Sequence, residues 1–452
     1  MLKFSDLKSF LLKQRVLFAI FLAALFFRVF LFACYWHNNG VSVEQIVQGD
    51  ATEYHILAHN LIEKGEFTSG SEANSRRTPI YPFFIGSVYL IFGELPWVVL
   101  LFQLIIDSLT AVLIFILGQA IFDNKKASII AAALYAFDPL VALYSYKLLT
   151  ETLFIFLFVI FLLFLFLAIK RRRIKLFVLS GLFLSLAILT RPITQYFFVI
   201  GSAAIFLLSG EAMTRRLKYS VLFLAAFLLT ILPWQIRNYV NFGSFALSNL
   251  PGYNLLQYSA AIPEAAANKI NIEEARDKLR LHRKENSSSV ADSKLDQSLA
   301  VKYIAQHPIQ VIGTNAKGVL NIFLNTVKYE LFETFGVRLN VFPQDQMYES
   351  IPARIKRVLQ TARREYFMTP VLLGILLIEY LLGVGGVIYL FKKKNVKVAF
   401  VFFCIIAYFC VATGALGSSR FRIPMVPVYL LLSGLGAVFF WEYFRAKLGF
   451  KK

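Results

Sequence analysis

Apolar residues in this chain fall in runs of about 20, the length an α-helix needs to cross the hydrocarbon core of a bilayer. Such runs restrict the fold, because a helix satisfies its own backbone in lipid while an open strand or a loop does not. The composition agrees: 58% of the 452 residues are hydrophobic and 16% are charged, with a mean hydropathy of +0.63. The chain reads as an all-α polytopic membrane protein.

A formal net charge of +20 would suit nucleic acid if the basic residues formed one surface. Instead they cluster in short stretches between apolar runs, where they act as topology signals and headgroup contacts. No nucleic-acid partner is expected. Cys34, Cys404 and Cys410 sit in apolar segments without metal-ligand spacing and say nothing of redox compartment. The first apolar stretch follows Lys3, Lys8, Lys13 and Arg15 and lacks a small-residue cleavage site, so it is expected to remain as an anchor.

About ten spans are expected, at about 16–36, 97–120, 127–144, 148–169, 175–190, 193–209, 218–235, 367–390, 398–414 and 423–441. With a cytoplasmic N-terminus this count places Lys125-Lys126, Lys170 to Arg173, Arg215 to Lys218, Lys392 to Lys394 and Lys451-Lys452 all on the inner side. The stretch Pro79 to Gly93 is apolar but too short, and counting it would export every later cluster. It is read as an interfacial or re-entrant outer helix. The run from Leu176 to Leu208 is broken at Thr190-Arg191-Pro192, where proline removes a donor and arginine is costly in lipid.

This register divides the chain into a transmembrane module at 1–236 containing a first outer loop at 37–96, an extracytoplasmic loop region at 237–366, and C-terminal transmembrane helices at 367–452. Within the loop region, Arg283 to Lys294 is Ser-rich and charged and reads as a flexible linker, and Leu299 to Lys328 has a helical pattern. The segment His307-Pro308 to Leu324 is read as outer helix, because a span there would invert everything after it.

Ionisable residues then converge on the outer boundary: Asp50 and Glu53 in the first loop, Arg76-Arg77 before the interfacial helix, Glu151 opening the fourth span, Arg191 at the break, Arg237 ending the seventh span, and Arg420 with Arg422 opening the last. A site at that depth suits a lipid-linked substrate whose phosphate lies at the headgroups. Arginine matches phosphate through its planar fork of donors. A nearby carboxylate can take a proton from an attacking hydroxyl while arginines hold the departing phosphate. This chemistry describes glycosyl transfer from a polyprenyl phosphate sugar. No cofactor is required by this logic; a divalent metal is the less favoured alternative, since Asp50-Ala51-Thr52 lacks the second carboxylate of an Asp-x-Asp site.

The same residues carry a resemblance. The stretches Asp50-Ala51-Thr52-Glu53-Tyr54, Arg77-Thr78-Pro79-Ile80-Tyr81-Pro82, Leu149-Thr150-Glu151, Leu189-Thr190-Arg191-Pro192, Arg237-Asn238-Tyr239 and Arg420-Phe421-Arg422-Ile423-Pro424 occur in order. In them the chain resembles the GT-C membrane glycosyltransferases, specifically the protein O-mannosyltransferase and aminoarabinose-lipid A transferase branch. The resemblance implies the GT-C fold, Asp50 as catalytic carboxylate, a donor sugar on undecaprenyl or dolichyl phosphate, an inverting reaction and an interfacial helix after the first loop. Lipid, glycan or protein could be the acceptor, and the implied setting is the cytoplasmic membrane with the site facing outward. Thr78 separates Arg77 from the proline, a departure from the family pattern.

Several residues have plainer readings. Asp50 before Ala-Thr-Glu could cap a helix; Glu53 is a favourable first-turn charge; Tyr54 could belong to an interfacial aromatic belt. His55 and His59 share a helix face at metal-pair spacing, though a solvated loop face is favoured. Asp107 and Glu379 fall within spans and are expected to find interhelical hydrogen bonds. A transporter or flippase of lipid-linked saccharides, or a polymerase or ligase of the same pathway, is the alternative; a transporter predicts charges along a path through the bilayer, whereas here they gather on one side.

Overall fold

The computed structural model describes residues 4–70, 73–280, 290–337 and 363–448. Every apolar run expected to span falls on helix: α1 (Phe4–Asn39), α5 (Pro96–Phe122), α6 (Lys125–Ala136) with α7 (Pro139–Ser145), α8 (Glu151–Arg171), α9 (Ile174–Thr190), α10 (Phe197–Leu208), α11 (Met213–Phe242), α18 (Arg363–Lys392), α19 (Val396–Thr413) and α20 (Val426–Lys447). The first outer loop contributes α2 (Val43–Ile46) and α3 (Asp50–Lys64), and the apolar stretch after it forms α4 (Ile80–Phe92). Among the described residues the only β pairing is an isolated bridge between Thr68 and Ala73.

Length revises the expected count of ten. Among the described residues seven helices are long and apolar enough to cross a bilayer alone, or eight if α6 and α7, bent by 52° at their junction, are one broken span. The other two expected spans, α9 and α10, are apolar but only 17 and 12 residues long. The physical reason is the Thr190-Arg191-Pro192 break, which ends α9 and starts a short 3₁₀ turn at Pro192–Thr194 before α10 begins. Helix α4, at 13 residues, is likewise shorter than a span.

The outer loop region folds as α12 (Leu250–Asn254), a π-helical turn at Leu255–Ala260, α13 (Ala261–Asn268), α14 (Ile272–Arg280), α15 (Val290–Gln306), α16 (Pro308–Leu324) and α17 (Lys328–Thr334). Residues 290–294, expected as linker, instead begin α15, while 281–289 lie outside the described residues. The expected helical stretch from Leu299 to Lys328 is interrupted at His307-Pro308, as proline demands, and again before α17. Helix α16 is not among the candidate spans. It buries Val311, Gly318 and Ile322 and exposes Ile309, Ile312, Leu320 and Leu324, the two-faced pattern of a boundary helix.

Helices α8 and α20 form the buried centre, α8 packing on α5 and α9 and α20 on α6 and α18. Close approach at α20 depends on missing side chains. A Cβ at Gly434 would lie 2.3 Å from the Ala127 carbonyl oxygen, and one at Gly436 would lie 1.7 Å from that of Leu382. Gly436→Ala is therefore expected to lower stability by about 1–3 kcal/mol as α18 is pushed away, read as an earlier unfolding midpoint in mixed micelles.

Candidate active site

The segment between α1 and α4 sets the site. Gly49 has φ 58°, a left-handed conformation that favours glycine, and it precedes α3 as the N-cap. Asp50 is thus the first helical residue and not a cap, which leaves its carboxylate available to residues from other elements.

Two arginines from distant parts of the chain take it. Asp50 Oδ1 accepts from Arg77 Nη2 at 2.8 Å, and Oδ2 accepts from Arg420 Nη1 at 3.0 Å. Arg77 also donates from Nε to Glu53 Oε2 at 2.6 Å and from Nη1 to the Tyr54 hydroxyl at 3.1 Å, with its guanidinium 4.7 Å from the Tyr54 ring centre. On the other side, Arg420 Nε donates to Glu151 Oε1, which accepts from Arg191 Nη1 at 2.7 Å as well. The result is one continuous chain of charges: Glu53, Arg77, Asp50, Arg420, Glu151, Arg191. Three carboxylates face three guanidinium groups.

Burial grades along that chain. The Glu151 side chain is 1% exposed and Asp50 is 39% exposed, so Glu151 forms the floor and Asp50 the mouth. Burial alone would raise the Asp50 carboxyl, but the charges and hydrogen bonds of Arg77 and Arg420 outweigh it and hold it at about 2. Burial would similarly lower Arg77, yet the Tyr54, Glu53 and Asp50 groups around it leave it raised.

Surrounding residues fix this geometry. Asn74, which the sequence did not single out, is 5% exposed. It donates to Glu53 Oε1 at 2.8 Å and accepts from the backbone N–H groups of Arg76 and Arg77, both at 2.9 Å. Tyr54 packs edge-on against Tyr81, whose hydroxyl donates to Gln103 Oε1 at 2.7 Å. In the π-helical turn, burial raises the Tyr258 hydroxyl, with Arg276, Tyr253, Asp50 and Arg420 acting on it in decreasing order. A π-helical turn is uncommon and frequent at functional sites, and nothing in the Leu255–Ala260 sequence marks it.

Two expected site residues lie apart. Arg237 donates to the backbone oxygens of Asn74 at 2.8 Å and Phe67 at 3.3 Å, and stacks on Trp234. It pins the loop that carries Arg77. Arg422 is 1% exposed and donates to the carbonyls of Ile322, Phe323 and Asn325 at 3.0–3.2 Å. Arg420 and Arg422 share a 3₁₀ turn, Ser419–Met425, where side chains two apart point about 120° away from each other. Arg420 faces the site while Arg422 ties down the end of α16.

The histidines pair with Glu94: His55 Nε2 lies 3.2 Å and His59 Nδ1 3.0 Å from its carboxylate, and His55 Nδ1 also meets the Tyr89 hydroxyl at 2.9 Å. Among the described residues no group of three or more His, Cys, Asp or Glu is placed to hold a metal. Asp107 has the interhelical partners expected of it, accepting from Arg28 Nε at 2.6 Å and from the Tyr135 hydroxyl at 2.5 Å. Glu379 makes its observed interhelical bond through its carbonyl, which accepts from Ser433 at 2.7 Å.

The architecture has solved counterparts. The archaeal oligosaccharyltransferase AglB of Archaeoglobus fulgidus, solved with an inhibitory peptide and a dolichol-phosphate, superposes over 97% of this chain with a TM-score of 0.57 at 14% identity. The chain has the GT-C fold. It spans about half of that relative, covering 52% of its length. The apo oligosaccharyltransferase from the same organism gives a TM-score of 0.56 at 15% identity over 97% of this chain and 51% of its own. ArnT from Cupriavidus metallidurans, in the apo state, aligns over 91% of this chain and 77% of its own at 11% identity, with a TM-score of 0.40. The sequence profile of the dolichyl-phosphate-mannose-protein mannosyltransferase family matches residues 76–236 of this chain, the segment that holds Arg77, Glu151 and Arg191. No curated protein matches it in sequence.

Proposed function

We propose that the protein is a membrane glycosyltransferase that moves a sugar from a polyprenyl phosphate, undecaprenyl or dolichyl, to an acceptor hydroxyl on the extracytoplasmic face of the cytoplasmic membrane. The observation that carries this reading is the bridge across Asp50: one carboxylate held between Arg77 and Arg420, with Arg191 beside it through Glu151, in a GT-C fold.

The donor phosphodiester carries one negative charge and would compete with the carboxylates for Arg420, Arg191 and Arg77. As it draws an arginine away, Asp50 becomes a better base. The acceptor hydroxyl then attacks the anomeric carbon on the face opposite the phosphate and gives its proton to Asp50. The bond from that carbon to the phosphate oxygen breaks, the polyprenyl phosphate leaves with one more negative charge, and the anomeric configuration inverts. Arginines stabilise that added charge as it develops. Arg237 and Arg422 act as positioning residues, through the Arg77 loop and the end of α16.

A carboxyl held at about 2 is poorly matched to proton abstraction near neutrality, so occupation of the arginines by phosphate must relax it. The sign of the pH effect follows. A depressed folded-state value means the Asp50 ion pairs contribute stability above the ordinary carboxyl range, and lose it as pH falls from about 4 through about 2. With ¹³C-labelled aspartate, the Asp50 carboxyl is expected to titrate at about 2 in the free protein and higher once polyprenyl phosphate is added; an unmoved midpoint would remove the competition step.

The function itself is tested by incubating purified protein in liposomes with radiolabelled polyprenyl phosphate sugars or nucleotide sugars and a panel of membrane acceptors. Transfer from the lipid-linked donors alone is expected. Transfer from nucleotide sugars, or translocation of the lipid-linked sugar without transfer, overturns the reading.

A further inference from the structure

At the end of the bundle opposite the candidate site, α6 and α20 part to leave a groove of about 820 Å³, lined by Lys126, Ile129, Ile130, Val438, Trp441 and Arg445 among others. This volume lies within the range of ordinary ligand pockets. The two helices touch deeper in the bundle, where Gly434 lies against Ala127 and Ala131. The groove therefore has a packed floor, and it opens on the outer surface of the bundle, where Trp441 is exposed.

Its chemistry is layered. Along α20, Val438, Trp441 and Arg445 recur at spacings of three and four and so share one face; from Val438 to Arg445 the helix rises about 10 Å. On α6, Lys126 stands one turn from Ile129 and Ile130. Apolar walls thus lie on the membrane side and two basic groups on the water side, with the Trp441 indole, 66% exposed, between them. Tryptophan at that level belongs to the headgroup boundary. Glu442 is the one acidic residue on its lining. The site chain of arginines lies at the other end of the molecule, so the transfer reaction does not use this groove.

We propose that the groove binds one anionic phospholipid, its phosphate held by Lys126 and Arg445 and an acyl chain lying along Ile129, Ile130 and Val438. Bound there, the lipid joins α6 of the N-terminal half to α20 of the C-terminal half. It acts as a structural ligand at a seam of the fold.

The full-length protein, purified in a mild detergent, would be equilibrated with phosphatidylglycerol or phosphatidylcholine and examined by native mass spectrometry and thermal melting. Wild type is expected to retain phosphatidylglycerol about tenfold better and to melt later with it, in line with the attraction of basic residues for anionic headgroups. Lys126→Glu with Arg445→Glu should abolish the preference. Arg173→Glu with Lys175→Glu, an equal charge change on the exposed α8–α9 turn, should leave it intact. Equal retention of both lipids by wild type, or equal loss in both double variants, overturns the proposal. Should the first double variant fail to fold, Ala437→Trp, which fills the apolar part and spares both basic groups, is expected to displace the lipid; retention by that variant overturns the proposal too.

Discussion

Asp50→Asn is expected to slow sugar transfer by about 10²- to 10⁴-fold, the usual contribution of a positioned general base, while donor binding is kept or strengthened. The two halves of that expectation have separate causes. Asparagine preserves the shape of the side chain and can still accept a hydrogen bond, but it cannot take up the acceptor proton. It also removes a negative charge that competes with the donor phosphate for Arg77 and Arg420. Folding should change little, because Asp50 is 39% exposed at the mouth of the site and both arginines keep second carboxylates, Glu53 and Glu151. Binding of a sugar-free polyprenyl phosphate and the rate of labelled-sugar transfer, measured on the same preparation, separate the two. Undiminished transfer by the variant would remove Asp50 from the chemistry; weakened binding of the phosphate would contradict the competition between carboxylate and donor.

Much of the charge chain is legible in the sequence, because ionisable residues at the margins of apolar runs are costly and few. Asp50, Glu53, Arg77, Glu151, Arg191 and Arg420 all stand out that way, and parity of the basic clusters puts them on one side. Which of them touch was not visible. Arg420 and Arg422 look equivalent in sequence, and only the 3₁₀ geometry of Ser419–Met425 sends one to Glu151 and Asp50 and the other to the end of α16. Asn74 carries no charge and sits among turn residues, so nothing in its pattern distinguishes it from an ordinary loop asparagine. The outer loop region was least legible: its short helices bury small clusters such as Leu256, Ala300 and Tyr303, too few residues per element to leave a clear period. Fold class was read from run length, yet the same measure overcounted spans. Helices α9 and α10 are apolar enough to pass, and the backbone break at Arg191-Pro192 shortens both.

Arg28 carries the second large effect, and it stands in the middle of the first apolar run, where the sequence analysis did not single it out. It is fully buried and joins three helices: Nε to Asp107 of α5 at 2.6 Å, and Nη1 to the Ala136 carbonyl at the end of α6 at 2.8 Å and to Ala24 of its own helix at 3.1 Å. The Ala136 contact explains how a span can break inside the bundle. Ala133 and Tyr135 still accept from the Phe137 and Asp138 N–H groups, but α6 ends at Ala136 and the chain bends by 52° into α7, so the Ala136 carbonyl needs a replacement donor in an apolar interior. Arg28 supplies one there, and Asp138 starts α7 by accepting from the Val141 N–H. Arg28→Met should therefore cost about 3–5 kcal/mol, since it leaves Asp107 as a buried charge without its counter-ion. Adding Asp107→Leu should recover much of that loss, because replacing both members of a buried pair by apolar residues is close to neutral. Recovery should stop short of wild type, as Ala136 still lacks its donor and the Tyr135 hydroxyl, which donates to Asp107 at 2.5 Å, is left alone. Unfolding in mixed micelles of the wild type, both single variants and the double variant closes the cycle; a double variant no more stable than Arg28→Met would mean that the arginine acts through the α6 carbonyl alone.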